Sequence, residues 1–345
     1  MQISSEVFVS STVKRYGEVP GMSRNEGRMM DIEVQIADIL CTMHISAVNF
    51  CYQKETEEWI MTDALHVEGL TKRFPDFTLE NISFSVPTGS IMGLIGPNGS
   101  GKTTTIKLIL NLLKKQSGSI TVLGFDHIKE EQIFKERIGV VFDSHFFVDE
   151  WKMPDVEKAM GMFYENWDTE VYYRYLEKFR INREKRVKEL SKGMQMKLML
   201  ACSFSHRAEL LILDEPTSGL DPVSRDELLD ILLEYTKDKR HSVLFSTHIT
   251  PDLNKIADSI TFINRGKLLY SGEKEKLTES YCIVSGSSRQ LTPERKAAMP
   301  NIKIYPDSFE ALVRREELSG LAGLQTRPAV MDDIIVFVSK GDVLL

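Results

Sequence analysis

Two segments of this chain carry the residue types that handle a phosphate anhydride. The run Gly96-Pro97-Asn98-Gly99-Ser100-Gly101-Lys102-Thr103 matches the pattern GxxxxGK[ST]. Its glycines let the backbone wrap so that several N–H groups point at phosphate oxygens, and a following helix adds its positive N-terminal end. Lys102 can reach β- and γ-phosphates, and the Thr103 hydroxyl can ligate Mg²⁺. The second segment, Leu210-Leu211-Ile212-Leu213-Asp214-Glu215, is an apolar run that ends in two adjacent carboxylates. In a fold built on such a phosphate loop, the first acid holds the metal. Glu215 can then orient or deprotonate an attacking water. Alone, the second segment reads equally well as a buried strand ending in solvated acids.

The elements around these residues suit the chemistry. Leu65 to Leu70 and Asn81 to Val86 alternate as half-buried strands do, and Pro87-Thr88-Gly89 marks a turn. Ile91 to Ile95 is a short apolar run that feeds the glycine-rich loop, and Thr103 to Leu113 has helical spacing. Ile138 to Phe142, Leu210 to Leu213, Val243 to Phe245 and Ile260 to Ile263 are further runs of buried-strand type, separated by helical patterns. Such alternation implies a mainly parallel sheet covered on both faces. Between Glu130 and Leu190 lies a helical, charged and aromatic stretch, with Arg183 to Lys188 as a solvated helix face. After Gly272 come strand-like Tyr281 to Val284 and Ile302 to Tyr305 and a helix from about Phe309 to Leu318. Val330 to Val338 reads as a short helix or a buried strand.

Leu190-Ser191-Lys192-Gly193-Met194-Gln195 precedes a helical run, and Ser191 lies 89 residues after Lys102. Here the chain resembles the ATP-binding cassette family, whose LSGGQ signature stands between the phosphate loop and the Asp-Glu strand. Ser218-Gly219-Leu220-Asp221 is similar to the family's D-loop, and Thr247-His248 to its switch histidine. The resemblance runs from Leu65 to about Gly272 and extends most closely to the bacterial ABC-2-type exporter ATPases. It implies that ATP is bound by Phe74 stacking on adenine, with Phe77 as competitor. Gly96, Pro97, Asn98, Gly99, Ser100, Gly101, Lys102, Thr103 and Thr104 would hold the phosphates. It implies Mg²⁺ on Thr103, Asp214 and Asp143, and catalysis by Glu215 and His248. It also implies a second ATPase subunit facing the first head to tail, so that Ser191, Gly193 and Asp221 reach nucleotide across the interface. Separately encoded permease subunits would be the other partners, met by the aromatic stretch Phe146 to Trp167. Two departures stand out. Lys192 and Met194 replace the signature's usual glycine and glutamine. Asp143 stands where the family's Q-loop has glutamine, adding negative charge beside a triphosphate; the alternative is a solvent-facing turn residue.

Composition narrows the class. With 43 Lys+Arg against 50 Asp+Glu the net charge is −7, which gives no global basic footprint for nucleic acid. The four cysteines Cys41, Cys51, Cys202 and Cys282 form no CxxC pair, which disfavours a disulfide scaffold or zinc site. No run approaches the roughly 20 apolar residues of a membrane span. The expected location is therefore cytoplasmic, peripheral on the inner face of the membrane. The expected fold is α/β: a P-loop NTPase core with a mainly parallel sheet and helices on both faces. To this are added an antiparallel edge sheet, a helical subdomain over about 144–195 and a small C-terminal α/β appendage. Residues 1–60 read as an extension with an amphipathic helix over Asp31 to Met43, as a disordered tail, or as sequence upstream of a natural start at Met61. Residues 61–272 then form the ATPase domain and 273–345 the appendage. The competing function is a soluble ATPase of the same family acting on nucleic acid or ribosomes.

Overall fold

The computed structural model describes residues 63–340. The expectations for residues 1–60, including the Asp31 to Met43 helix, lie outside them. The chain opens with β1 (Asp63–Arg73), β2 (Thr78–Pro87) and β3 (Ile91–Ile95), then α1 (Lys102–Ile109), β4 (Ser117–Val122), β5 (Phe125–Asp126), α2 (Glu131–Lys135) and β6 (Ile138–Val141). Next come α3 (Met153–Gly161), α4 (Thr169–Lys178), α5 (Lys192–Ser205), β7 (Leu210–Asp214), α6 (Pro222–Tyr235), β8 (Ser242–Thr247), α7 (Thr250–Ile256), β9 (Ser259–Asn264) and β10 (Lys267–Glu273). The last elements are α8 (Lys274–Ser280), β11 (Tyr281–Ser287), α9 (Pro293–Ala297), β12 (Asn301–Ile304), β13 (Ser308–Arg314), β14 (Gln325–Pro328) and α10 (Met331–Lys340).

Ten strands form one sheet in the order β5-β4-β1-β2-β10-β9-β3-β8-β7-β6. The half β9-β3-β8-β7-β6 is parallel. Every residue of β3, β7, β8 and β9 is buried, as strands covered on both faces must be. The other half is largely antiparallel, and its alternating Leu65, Val67, Ile82, Phe84 and Val86 share a core with Ile106 of α1 and Leu110 at its C-terminal end. The expected parallel sheet with antiparallel edge is therefore present. Its β3 continues directly into the glycine-rich loop, with β8 on one side and β9 on the other.

The aromatic stretch folds inward. Met153, Val156 and Met160 of α3 share one face with Tyr172 and Leu176 of α4, and the Tyr172 hydroxyl donates to the Met153 carbonyl at 3.0 Å. Trp167 lies 5.5 Å from the Tyr172 ring. Phe147 and Tyr164 are buried, and Phe146, Trp151, Phe163 and Trp167 pack against the same core. The stretch expected to meet a permease thus has its rings buried or partly buried in the core, and Val148 and Met162 are its exposed large apolar side chains. Behind them His206 stacks on Tyr164 at 3.8 Å, and burial pulls its pKa down to about 4. Arg183 to Arg186 and Lys188 are exposed as expected, but Val187 is buried and the run is helical only where the short 3₁₀ turn Val187–Glu189 begins. Arg186 bridges to Lys152 as an isolated β-pair, and Arg186 and Lys188 both pair with Glu150.

The second sheet has four antiparallel strands in the order β12-β13-β11-β14. Period-two alternation divides its side chains. Cys282, Val284, Phe309, Ala311 and Val313 form a small core with Met299 and Leu321. Tyr281, Ile283 and Leu312 face the other way and join Met331, Ile334, Phe337 and Val338 of α10 in the main core. The helix expected over Phe309 to Leu318 is a strand followed by a 3₁₀ turn. Its apolar spacing fits both periods, and pairing with β11 and β12 on either side decides for the strand. Val330 to Val338 resolves as the helix α10.

One hairpin ties the sheet to the glycine-rich loop. Arg265 and Gly266 make the two-residue turn between β9 and β10, with φ of 48° and 76°, as a type I′ turn requires. Gly266 N–H donates to the Ser100 carbonyl at 2.9 Å, and its own carbonyl accepts from Glu80 N–H at 2.8 Å. A Cβ on Gly266 would lie 1.8 Å from the Thr78 carbonyl oxygen. Gly266→Ala should therefore cost about 3 kcal/mol, the upper end of what overpacking and backbone strain cost. Urea denaturation checks this, and an unchanged midpoint would refute the tight fit.

Candidate active site

The loop Gly96 to Thr103 leaves the C-terminal end of β3 and enters α1. Gly96, Gly99 and Gly101 all hold positive φ. The first turn of α1 has no acidic residue and no side-chain cap, so its N–H groups are available to an anion. Lys102 is buried, and its ammonium donates to the Gly96 carbonyl at 2.8 Å and to that of Pro97 at 3.4 Å. The Ser100 hydroxyl is buried with no hydrogen-bond partner. A buried hydroxyl left unpaired is costly and points to a ligand oxygen. Thr103 and Asn98 are exposed beside the loop, and Thr104 is half-buried.

The carboxylate pair meets the loop from the neighbouring strands. Asp214 ends β7 opposite Ser246 of β8. The Ser246 hydroxyl donates to Asp214 Oδ1 at 2.6 Å and accepts from Glu215 N–H at 2.9 Å. Glu215 N–H also reaches the Ser246 carbonyl at 3.2 Å. Glu215 itself sits at φ 51°, a left-handed conformation that costs a non-glycine residue of order 1–3 kcal/mol. That turn aims its carboxylate between two groups. Oε1 lies 3.1 Å from Lys102 Nζ, and Oε2 lies 2.8 Å from His248 Nδ1. The Thr103 hydroxyl donates to Asp214 Oδ1 at 3.2 Å. Lys102, Thr103, Asp214, Glu215 and His248, joined through Ser246, thus form one contact chain drawn from α1 and the ends of two parallel strands, β7 and β8.

Other residues singled out from the sequence lie around this cluster. Asp143 is exposed, two residues beyond Val141, whose partner across the sheet is Leu213. Phe77 packs on the loop, with its ring edge 3.1 Å from where a Cβ on Gly101 would stand. Phe74 is half-buried 6.2 Å from Phe77, with the Lys72 ammonium 5.6 Å above its ring. Ser191, Gly193 and Asp221 form a second patch. Ser191 is exposed and caps α5 through its hydroxyl, which accepts from Met194 N–H at 3.3 Å. Gly193 is buried, and a Cβ there would press within 3.1 Å of Ser224 on α6. Asp221 caps α6 by accepting from Val223 and Ser224 N–H at 3.0 Å each, and these hydrogen bonds lower its pKa, the Ser224 contacts most.

Sequence reading missed two members of the framework. Ser246 couples the two acids, and its signal was available as the polar residue that ends an apolar strand just before Thr247-His248. Asp252, fully buried on α7, accepts from the Thr217 hydroxyl at 2.6 Å and from Arg225 Nε at 2.5 Å. It joins the turn after Glu215 to the helix after His248. Ser246→Ala should slow ATP turnover about thirtyfold, since two hydrogen bonds to the acid pair at ~1 kcal/mol each are lost. Phosphate release measures this; a wild-type rate would show that the acids hold their places without Ser246.

Comparison with known proteins bears on the same residues. The family described as ABC transporter matches residues 79–218. The ABC transporter ATP-binding protein YdbJ of Bacillus subtilis (strain 168) is 35% identical over 207 residues, 59% of this chain and 67% of that protein. The Nod factor export ATP-binding protein I of Sinorhizobium fredii (strain NBRC 101917 / NGR234) is 28% identical over 300 residues, 79% of this chain and 85% of that protein. A solved ATP-binding subunit of an ABC transporter superposes with a TM-score of 0.57 at 28% identity, covering 62% of this chain and 91% of that one. The phosphate loop, the paired acids and the histidine converge at the ends of the strands of this same sheet, and the chain belongs to the ATP-binding subunits of ABC transporters, which are ATPases.

Proposed function

We propose that the chain powers an ABC-2-type membrane exporter by ATP-driven closure of a dimer. The observation that carries this reading is the chain Lys102–Glu215–His248 at the mouth of the glycine-rich loop. Phosphate oxygens of ATP would take the loop N–H groups, the free Ser100 hydroxyl and the Lys102 ammonium. Glu215 would then exchange Lys102 for the attacking water while His248 keeps hold of Oε2. As water adds in line to the γ-phosphorus, its proton passes to Glu215. The bond from phosphorus to the β-bridging oxygen breaks, giving ADP and phosphate. Phe74, with Phe77 committed to the loop, is the ring we assign to adenine.

Thr103 and Asp214 present hard oxygens 3.2 Å apart, a donor pair that suits Mg²⁺, and we add Asp143 as a third ligand and second carboxylate. Bound there, the ion would offset the charge of the β- and γ-phosphates. Ser191, Gly193 and Asp221 stand in a second patch, which we read as the surface that meets the nucleotide of a partner ATPase subunit. Export is supported by the likeness to the Nod factor export protein and by the Ser191-Lys192-Gly193-Met194 pattern. Separately encoded permease subunits are the proposed membrane partners, with this chain on the inner face of the membrane. Among the described residues no helix is long and apolar enough to cross a bilayer. We place the ATPase domain at 61–272 and a C-terminal unit at 273–345. The competing soluble ATPase acting on nucleic acid or ribosomes is disfavoured by the net charge of −7.

Glu215→Gln should keep ATP binding, lose at least about a hundredfold in turnover for want of a general base, and sediment as a dimer with ATP. Sedimentation and phosphate release decide it; near-normal turnover would remove Glu215 from the chemistry, and a monomer would remove ATP-driven closure. Asp143→Gln should raise the Mg²⁺ concentration needed for half-maximal ATPase activity, because a charge is lost from the metal's surroundings. Superimposable Mg²⁺ titrations would leave Asp143 an exposed turn residue.

A further inference from the structure

His248 is placed by what holds the four residues Thr247 to Thr250. Upstream, Thr247 ends the fully buried β8, and its hydroxyl accepts from Ile249 N–H at 3.0 Å. Downstream, α7 begins at Thr250 without a side-chain cap on Ile249. The Thr250 side chain is buried, and its hydroxyl donates to Asp332 Oδ1. Asp332 belongs to α10, in the C-terminal unit, 82 residues along the chain. The two ends of the segment that carries the histidine are therefore held by different parts of the protein.

Asp332 is itself rigidly presented. The next residue, Asp333, is gripped by both terminal nitrogens of Arg327 on β14, at 2.6 and 2.8 Å, and accepts from Val330 N–H at 2.9 Å. Met331, Ile334, Phe337 and Val338 of α10 share the apolar core that also contains Leu253 and Ile256 of α7. The path from the second sheet thus runs through Arg327, Asp333, Asp332 and Thr250 to the loop that holds His248 2.8 Å from Glu215. Every link is a hydrogen bond, an ion pair or a short stretch of backbone.

We propose that Asp332 is a positioning residue for ATP hydrolysis, through which the C-terminal unit sets the alignment of His248 on Glu215. This rests on the catalytic reading of His248 above. Phosphate-loop contacts do not pass through Asp332, so nucleotide affinity is independent of it. A partner or ligand that displaced β14 and α10 would retune turnover without touching the nucleotide.

The test uses the full chain, with kcat, KM for ATP and affinity for a fluorescent ATP analogue measured for each variant. Thr250→Val and Asp332→Leu should each lower kcat about three- to tenfold while KM and affinity stay at their wild-type values. Thr250→Ser keeps the donor and Asp332→Asn keeps an acceptor, so both should restore kcat. The double variant Thr250→Val/Asp332→Leu should be no slower than the slower single one, because one contact is broken once. Wild-type kcat in Thr250→Val and Asp332→Leu overturns the proposal. So does a loss shared equally with affinity, a strictly additive double variant, or failure of Thr250→Ser and Asp332→Asn to restore the rate. His248→Ala separates the two readings. If it is slow while Thr250→Val and Asp332→Leu are normal, the Asp332 proposal alone fails; if it is normal, the catalytic reading of His248 fails with it.

Discussion

The site depends on one constraint: two adjacent acids at the end of a buried strand must point in different directions. An extended continuation of β7 would send Asp214 and Glu215 to opposite faces of the sheet. Instead the chain turns left-handed at Glu215, and the Ser246 hydroxyl receives the turned N–H while donating to Asp214. A conformation that costs a side-chain-bearing residue free energy is held by hydrogen bonds from the neighbouring strand. The result is a division of labour. Asp214 stays with Thr103, the pair we propose as Mg²⁺ ligands. Glu215 reaches across to Lys102 and His248.

That geometry needs the parallel half of the sheet in its observed order. β3, β8 and β7 are neighbours, so the loop after β3, the histidine after β8 and the acids after β7 emerge side by side at their C-terminal ends. Ligand crevices of open α/β sheets lie at such ends. The antiparallel half contributes from outside. Its hairpin turn at Gly266 holds the Ser100 carbonyl, and Phe77 covers Gly101. The signature residues are built into a different junction, where Gly193 lets α5 approach α6 at Ser224.

The C-terminal sheet is joined to this machinery through α10 rather than appended to it. One of its faces closes a small core of its own, and the other shares the core of the ATPase fold. A unit attached in this way cannot shift without disturbing α7, and α7 also carries Asp252, the buried anchor of Thr217 and Arg225.

The sequence by itself determined the phosphate loop, the acid pair and the class of fold, because these depend on local pattern. Glycine spacing, an apolar run before it and a helix after it define a phosphate cradle without reference to anything distant. Strand-like Tyr281 to Val284 and Ile302 to Tyr305 were legible for the same reason. Long-range packing was not. The aromatic content of Phe146 to Trp167 does not say which way its rings face; the Tyr172 contact and the shared core turn them inward. Phe309 to Leu318 satisfied a helical and a strand period at once, and only pairing with β11 and β12 chose between them. Ser246, Asp252 and Asp332 bear no motif. Their parts come from partners 32, 35 and 82 residues away, and only the folded sheet and its docked helices bring those partners within hydrogen-bonding distance.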